Sequence, residues 1–191
     1  MRWETVAKMR KRNNINRSTK AIAFCSVLSA LAVALMSIGI FLPTFDMVAA
    51  MFASYSVIIT VCELGRGYAT GVFLSAALLG ILISPHNTSA WFFASFMGYY
   101  PLIKSIIEVR VKNRFTAIVY KFLFFNAAFA IIVFVSIKFL SFEEFIGWYA
   151  IALIALAELA FLLYDILLSK SIFAYYRMIR PRLKIGNFLR K

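Results

Sequence analysis

The sequence predicts an all-α integral membrane protein with six transmembrane helices and both termini in the cytoplasm. Of its 191 residues, 63% are hydrophobic and only 15% are charged. A soluble domain of this length could not bury so much apolar surface. The apolar residues form runs of about the length that crosses a bilayer. The basic residues fall mainly into alternate connections between those runs.

The number of helices follows from the lengths of the apolar runs. A helix needs about 20 apolar residues to cross a hydrocarbon core about 30 Å thick. Residues 46–84 as one helix would reach about 58 Å, so a break is predicted at the charged and glycine-containing stretch 63–67. Six spans result, at about 21–42, 46–63, 68–84, 91–109, 116–137 and 145–168.

The orientation and the domain limits follow from the basic residues. Eighteen of the 21 Lys and Arg residues lie in the two terminal segments and in the connections between spans two and three and between spans four and five, and Lys104 and Lys121 lie within spans four and five on the same side. The exception is Lys138. The positive-inside rule therefore predicts a basic cytoplasmic arm at 1–20, a membrane domain at 21–168 and a basic cytoplasmic tail at 169–191. Anionic lipid at the cytoplasmic face is the expected partner of these charges, and nucleic acid is not.

Ionisable residues inside the predicted spans need a reason, because a charge in the bilayer is costly. Glu63, Lys104 and Glu158 form a predicted intramembrane polar cluster. Lys104 and Glu108 are four apart on one helical face and can pair. The cluster is either structural, with Glu63 or Glu158 neutralising Lys104, or a relay for a conformational signal or an ion. Further polar residues in these spans are Lys121, Asn126 and Asp165.

The connections predicted to face outward combine aromatic and polar side chains. An aromatic belt at the membrane interface explains such residues without a ligand. A small-molecule pocket also needs aromatic residues beside a few converging polar groups. Because the chain has one histidine, no multi-His metal site is expected, and no cofactor is expected either. The candidate substrate-binding residues are Asp46, His86, Asn87, Trp91 and Trp148.

Small residues recur every four positions on the first and third predicted helices, which lets another helix approach closely. These faces serve either packing within the bundle or docking of a separate membrane subunit. On span one they are Ser26, Ala30 and Ala34, with Ala21, Cys25 and Ser29 one step round, and on span three Gly67, Gly71 and Ser75.

Motifs of known catalytic chemistry are missing from the sequence. It contains no Walker A loop, H-E-x-x-H, G-x-S-x-G or paired-Cys motif. The protein is therefore not expected to be an enzyme or to hydrolyse ATP. With six spans and no convincing internal repeat or pair of broken helices, the protein is also small for a self-sufficient secondary transporter. We expect the protein to work with partners.

The sequence resembles the substrate-binding membrane subunits, or S components, of energy-coupling factor (ECF) transporters. The resemblance rests on STKAIAFCSVLSALAVAL, where Ala30-x-x-x-Ala34 follows a basic end, and on six short helices with both termini inside and ligand loops outside. GYYPLIKSIIE followed by VYKFLFFN is a third element of the resemblance. The first helix of that family docks the shared scaffold subunit through such an alanine face, which Ala30 and Ala34 match.

The resemblance implies an S-component-like bundle that binds a vitamin or similar micronutrient through the outward loops 43–46 and 85–91. It implies a scaffold membrane subunit and two ATPase subunits as partners, and a protein that topples in the bilayer to release its substrate inside. The substrate stays open.

Two other functions are compatible with the sequence. Membrane scaffold proteins of the cell-shape and cell-wall elongation complex share the six-helix fold and bind proteins instead of vitamins. An ion-coupled carrier that uses Glu63, Lys104 and Glu158 would transport without an ATPase. Polar and aromatic outward loops favour uptake, whereas a lipid-facing groove would favour the scaffold.

Overall fold

The computed structural model describes residues 3–111, 113–140 and 148–179. Within these ranges the chain is helical and contains no β-strand, which confirms the predicted all-α class for this part of the chain. A 3-10 turn, Pro43–Phe45, precedes the second helix, and π-helical turns occupy Phe93–Met97 and Tyr175–Ile179. The α-helices are α1 (Trp3–Phe41), α2 (Asp46–Leu64), α3 (Arg66–Ile83), α4 (Thr88–Phe92), α5 (Tyr100–Arg110), α6 (Arg114–Leu140) and α7 (Trp148–Ala174).

The predicted break between spans two and three is a single residue, Gly65. Its φ of +89° lies in the left-handed region, which glycine adopts without the steric cost of a Cβ atom. Its N–H donates to the carbonyl of Thr60 at 3.1 Å and closes the end of α2. Because α3 begins at the next residue, α2 and α3 pack against each other as neighbouring helices.

The predicted span four is interrupted rather than continuous. A π-helical turn and Gly98 separate α4 from α5, and the Gly98 N–H donates to the carbonyl of Phe93 at 2.7 Å. Gly98 allows close packing here, because a Cβ atom would lie 2.6 Å from a ring carbon of Phe73. Pro101 stands in the first turn of α5, where its missing N–H has no helical partner to lose.

Two helices extend beyond the predicted spans. α1 begins at Trp3, so the predicted basic arm is helical from that residue and continuous with span one. α7 continues to Ala174, past the predicted end at residue 168. The outward connection 141–147 and the tail beyond residue 179 lie outside the described residues.

The described chain divides into two compact units. The first comprises residues 3–102 and 173–179. Its helices α1, α2 and α3 pack around small side chains, and the hydroxyls of Ser29 and Ser75 hydrogen-bond between α1 and α3 at 2.7 Å. The alanines of this core with 0% exposure include Ala32, Ala50, Ala53, Ala69 and Ala76.

The second unit comprises residues 103–172 and contains α6 and most of α5 and α7. Its core uses large side chains: the Phe125 and Phe161 rings stack with their centroids 4.4 Å apart. Tyr164 and Leu168 are buried as well, as are the two lysines Lys104 and Lys121.

Within the described part of the chain, three helices are long and apolar enough to cross a membrane: α1 from Ser18 onwards, α2 and α3. The stretch Phe115–Ala130 of α6 is a shorter apolar helix. Because α1, α2 and α3 lie side by side in the first unit, the structure supports a membrane protein.

Candidate functional site

Four residues, Gly39, Asp46, Asn87 and Ser89, form a cluster that we call the polar cap. It lies where α1 ends and where α2 and α4 begin. The Ser89 hydroxyl donates to Asp46 Oδ1 at 2.8 Å, and Asn87 Nδ2 donates to the carbonyl of Met36 at 2.9 Å. Asn87 is the N-cap of α4, because its Oδ1 accepts from the Ser89 N–H at 3.0 Å. The polar cap therefore joins three helices by hydrogen bonds.

Gly39 makes room for the polar cap. A Cβ atom at this position would lie 2.1 Å from Ser89 Oγ and 2.3 Å from Asp46 Oδ1. Both distances are far inside van der Waals contact, so a larger residue would displace the hydrogen-bonded pair. The backbone of α1 consequently forms one wall of the cluster.

The aromatic residue Trp91 stands beside the polar cap. Its indole Nε1 donates to the carbonyl of Pro85 at 2.8 Å, while the residue is 51% exposed. His86, in the turn before Asn87, is exposed too. Trp148 begins α7, and its side chain lies outside the described residues. Of the five predicted binding residues, the structure thus brings Asp46 and Asn87 together through Ser89.

Two accessible groups could meet a ligand here, the Asp46 carboxylate of the polar cap and the indole of Trp91, two residues after Ser89 in the chain. Asp46 is only half-buried, so its carboxylate can accept a hydrogen bond or pair with a cation. Trp91 presents an exposed ring face, which suits a flat or cationic group. Asn87 and Ser89 are buried and already bonded within the chain. Among the described residues, no group of three or more His, Cys, Asp or Glu could hold a metal ion.

Sequence reasoning missed two members of the polar cap. The N-cap role of Asn87 has a local signal, an asparagine just before a helix, but the bond from the Ser89 hydroxyl to Asp46 has none, because the two residues are 43 apart in the chain. Gly39 carries no such signal, since its role depends on residues that are distant in the chain.

The small residues Ser26, Ala30 and Ala34 form an exposed face of α1, which we call the small-residue face. Residues on a helix are separated by about 100° each, so this face lies opposite the buried side chains, which include Ala32 and Met36. The Ser26 hydroxyl donates to the carbonyl of Ile22 on its own helix. The face is consequently not used for packing within the first unit.

The neighbouring set on α1 serves the bundle instead. Ala21 and Ser29 are buried, and the Ser29 hydroxyl meets that of Ser75 on α3. Gly67 and Gly71 of α3 are exposed, with no heavy atom within 4 Å of a Cβ built on either. Packing within the bundle therefore accounts for Ala21 and Ser29, whereas Ser26, Ala30 and Ala34 stay exposed.

A group of charges built around two buried lysines, the charge network, joins α5, α6 and α7 in the second unit. Lys104 Nζ pairs with Asp165 Oδ1, donates to Ser169 Oγ at 2.7 Å and lies 3.3 Å from Glu108 Oε1. Lys121 Nζ lies 2.7 Å from Glu108 Oε1 and 3.2 Å from Asp165 Oδ2. The lysine side chains are 1% and 8% exposed. Two cations and two anions thus neutralise one another.

The predicted pair of Lys104 with Glu108 is confirmed. The expected neutralisation of Lys104 by Glu63 or Glu158 is wrong, because the turn of α7 that reaches Lys104 carries Asp165. Glu63 accepts a hydrogen bond from the Tyr175 hydroxyl at 3.0 Å, and Glu158 accepts one from Asn126 at 2.6 Å. The three residues of the predicted cluster therefore have three different sets of partners.

No protein-family model, curated protein or solved structure matches the chain. The described fold is helical, its three long apolar helices support a membrane protein, and the polar cap lies at one end of its first unit.

Proposed function

We propose that the protein is the substrate-binding membrane subunit of an ECF-type importer for a vitamin or similar micronutrient. It binds the small molecule at the polar cap, docks to a scaffold membrane subunit through the small-residue face, and draws on two ATPase subunits. The observation that carries the proposal is that α1 holds both features, an exposed face of small residues and one wall of the polar cap.

The small-residue face supports docking of a partner helix. Packing between helices in lipid depends on close approach of their backbones, which Ser and Ala side chains permit. Other exposed positions of α1 carry bulky apolar residues such as Val27, Leu31 and Ile38, which suit lipid tails. The difference in side-chain size marks one strip of α1 for a protein partner.

The position of the polar cap supports coupling between ligand and partner. Gly39 is five residues after Ala34, a rise of about 7.5 Å along α1. The hydrogen bond from Asn87 to the carbonyl of Met36 fixes the start of α4 to the same stretch of helix. A ligand that changes the polar cap would therefore act on the segment of α1 that adjoins the docking face.

The proposal includes a location in the cell membrane with several crossings and with both termini in the cytoplasm. The basic residues of the terminal segments would there meet anionic lipid of the inner surface.

The ligand-binding part is tested with the full-length protein purified in mild detergent. Mass spectrometry of the small molecules released on denaturation identifies the ligand, whose binding is then titrated. We expect Asp46→Ala and Trp91→Ala each to weaken binding at least tenfold, because they remove the accessible carboxylate and the exposed ring. Phe92→Ala, a neighbouring exposed aromatic residue, is the matched control and keeps the affinity. Equal binding by all three variants would contradict a site at the polar cap.

A membrane scaffold protein of the cell-wall elongation complex is the second candidate. It is favoured by one observation: Asn87 and Ser89 already bond within the chain, as a purely structural cluster requires. The scaffold would release no bound small molecule on denaturation.

A further inference from the structure

We propose that the Asn126–Glu158 pair is an intramembrane docking point for a partner's transmembrane helix that carries a Lys or Arg side chain. The inference rests on one element of the proposed function, the crossing of the membrane by α6 and α7. It adds a contact separate from the small-residue face.

The pair lies near the middle of two 27-residue helices. Asn126 Nδ2 donates to Glu158 Oε1 at 2.6 Å and to the carbonyl of Phe122 at 3.1 Å. Such helices are about 40 Å long, so the pair would sit far from both surfaces of a hydrocarbon core about 30 Å thick. Asn126 is exposed, as are its apolar neighbours Leu123 and Leu159. Asn126 therefore places a polar group on a surface whose described neighbours are apolar.

The pair offers acceptors but no donor. An asparagine amide has two N–H bonds, and Asn126 uses both within the chain. Glu158 Oε2 is buried and has no hydrogen-bond partner among the described residues. A buried acceptor without a donor is destabilising, and lipid offers no donor. A partner that supplies a donor would remove this cost.

The chemistry of the pair selects the partner. A second copy of this chain would bring the same acceptors and set them against each other. A cationic side chain instead supplies donors and balances the carboxylate, as Lys104 and Lys121 do for Glu108 and Asp165 in the charge network. Because the terminal torsion of a glutamate is broad, a modest rotation turns Oε2 towards the surface.

The two buried lysines of the second unit do not serve as the cation that pairs with Glu158. Lys104 and Lys121 are already engaged in the charge network, and neither contacts Glu158 in the described structure. Charges within membranes are found paired, so a partner helix that carries a cation would supply the missing partner of Glu158.

The test measures association of the full-length protein with synthetic single-span helices in phosphatidylcholine vesicles. A Leu/Ala host helix carries Lys, Leu or Glu at its centre, and energy transfer between fluorescent labels reports binding. We expect the Lys helix to bind at least tenfold more tightly than the Leu helix and the Glu helix to bind no better than the Leu helix. Glu158→Gln, which keeps the shape, and Asn126→Leu should each remove most of the preference. Leu163→Ala, at an exposed position of the same helix, should keep it.

Equal binding of the Lys and Leu helices, or an unchanged preference in Glu158→Gln, would overturn the inference. So would association between labelled copies of the chain that Glu158→Gln abolishes, since it would assign the surface to a second copy. Alkaline carbonate extraction of the same vesicles distinguishes failure of the docking point from failure of the membrane crossings. Retained protein without a preference overturns the docking point alone, whereas released protein overturns the membrane crossings of the proposed function.

Discussion

The two units of the molecule join their helices by different means. In the first, alanines without exposed surface and a serine pair lie between α1, α2 and α3, and these helices pack closely. In the second, α5, α6 and α7 meet through lysines, carboxylates and stacked phenylalanines. Small side chains let backbones approach, so lipid-embedded helices gain van der Waals contact along their length. Long charged side chains instead concentrate the interaction at one level of the helices.

The two units should differ in how well they tolerate single substitutions. A small-residue interface spreads its contribution over many weak contacts. A buried charge network depends on every member, because the loss of one partner leaves another charge buried without compensation. The second unit should therefore be the more sensitive to single polar changes.

Lys104→Met should be the most destabilising change. It leaves the partly buried Asp165 and the exposed Glu108 with one lysine between them. Breaking a buried ion pair typically costs about 3–5 kcal/mol of unfolding free energy, and because solvent screens Glu108 we expect a loss of about 3 kcal/mol. Unfolding by sodium dodecyl sulphate in mixed micelles measures this loss of unfolding free energy. Lys170→Met, at an exposed position on α7, is the control and should change stability by less than about 0.5 kcal/mol.

The double variant Lys104→Met/Asp165→Leu sharpens the test of the charge network. It removes one cation and one anion and leaves Lys121 paired with Glu108 at 2.7 Å. Most of the lost stability should return, because no excess charge stays buried. A double variant as unstable as the sum of two unrelated substitutions would refute the account of the second unit.

Gly39→Ala should destabilise the first unit through the polar cap. The new Cβ atom would overlap Ser89 Oγ and Asp46 Oδ1, and forced overpacking typically costs about 1–3 kcal/mol. Gly71→Ala, on α3 with open space around its Cβ position, is the matched control. It should be neutral or stabilising by up to about 1 kcal/mol, because alanine favours the helix. Equal effects of the two substitutions would mean that the polar cap does not constrain α1.

The serine pair should give the smallest effect. A double-mutant cycle of Ser29→Ala and Ser75→Ala measures the coupling between the two hydroxyls, which lie 2.7 Å apart. Hydrogen bonds between membrane helices average about 0.6 kcal/mol in such cycles. The Ser75 hydroxyl also lies 2.8 Å from the carbonyl of Gly71 and keeps that partner in the single variant Ser29→Ala. A coupling above about 2 kcal/mol would show that the first unit, too, depends on single polar contacts.

Sequence reasoning located the helices better than their contacts. The break at residues 63–67 was required by length alone, and the structure realises it at Gly65. The pair of Lys104 with Glu108 followed from helical spacing within one element. The role of Asp165 did not, because it depends on which turn of α7 faces α5. A shift of α7 along its axis by about two turns would have offered Glu158, which lies seven residues earlier on the same face, and no local pattern specifies that register.

The contacts within the candidate sites were likewise harder to predict than the residues themselves. Asp46 and Asn87 were predicted from their composition and position, and the structure joins them through Ser89, which no single stretch of sequence points to as a link. The periodicity of small residues on α1 could not decide between packing and docking. The structure assigns Ser29 to packing and leaves Ala30 exposed, because the two residues lie about 100° apart on α1.

Co-purification tests the proposed importer subunit most directly. The tagged protein is extracted from its native membranes in mild detergent, beside Ala30→Leu and the control Leu31→Phe, which adds bulk outside the small-residue face. Mass spectrometry of the wild-type and control samples should recover a scaffold membrane subunit and two ATPases. Ala30→Leu should lose them while keeping its own yield and stability, because its added bulk lies on a face that the first unit does not use. Recovery of cell-wall synthesis proteins without an ATPase, or ATPase recovery unaffected by Ala30→Leu, would contradict the account.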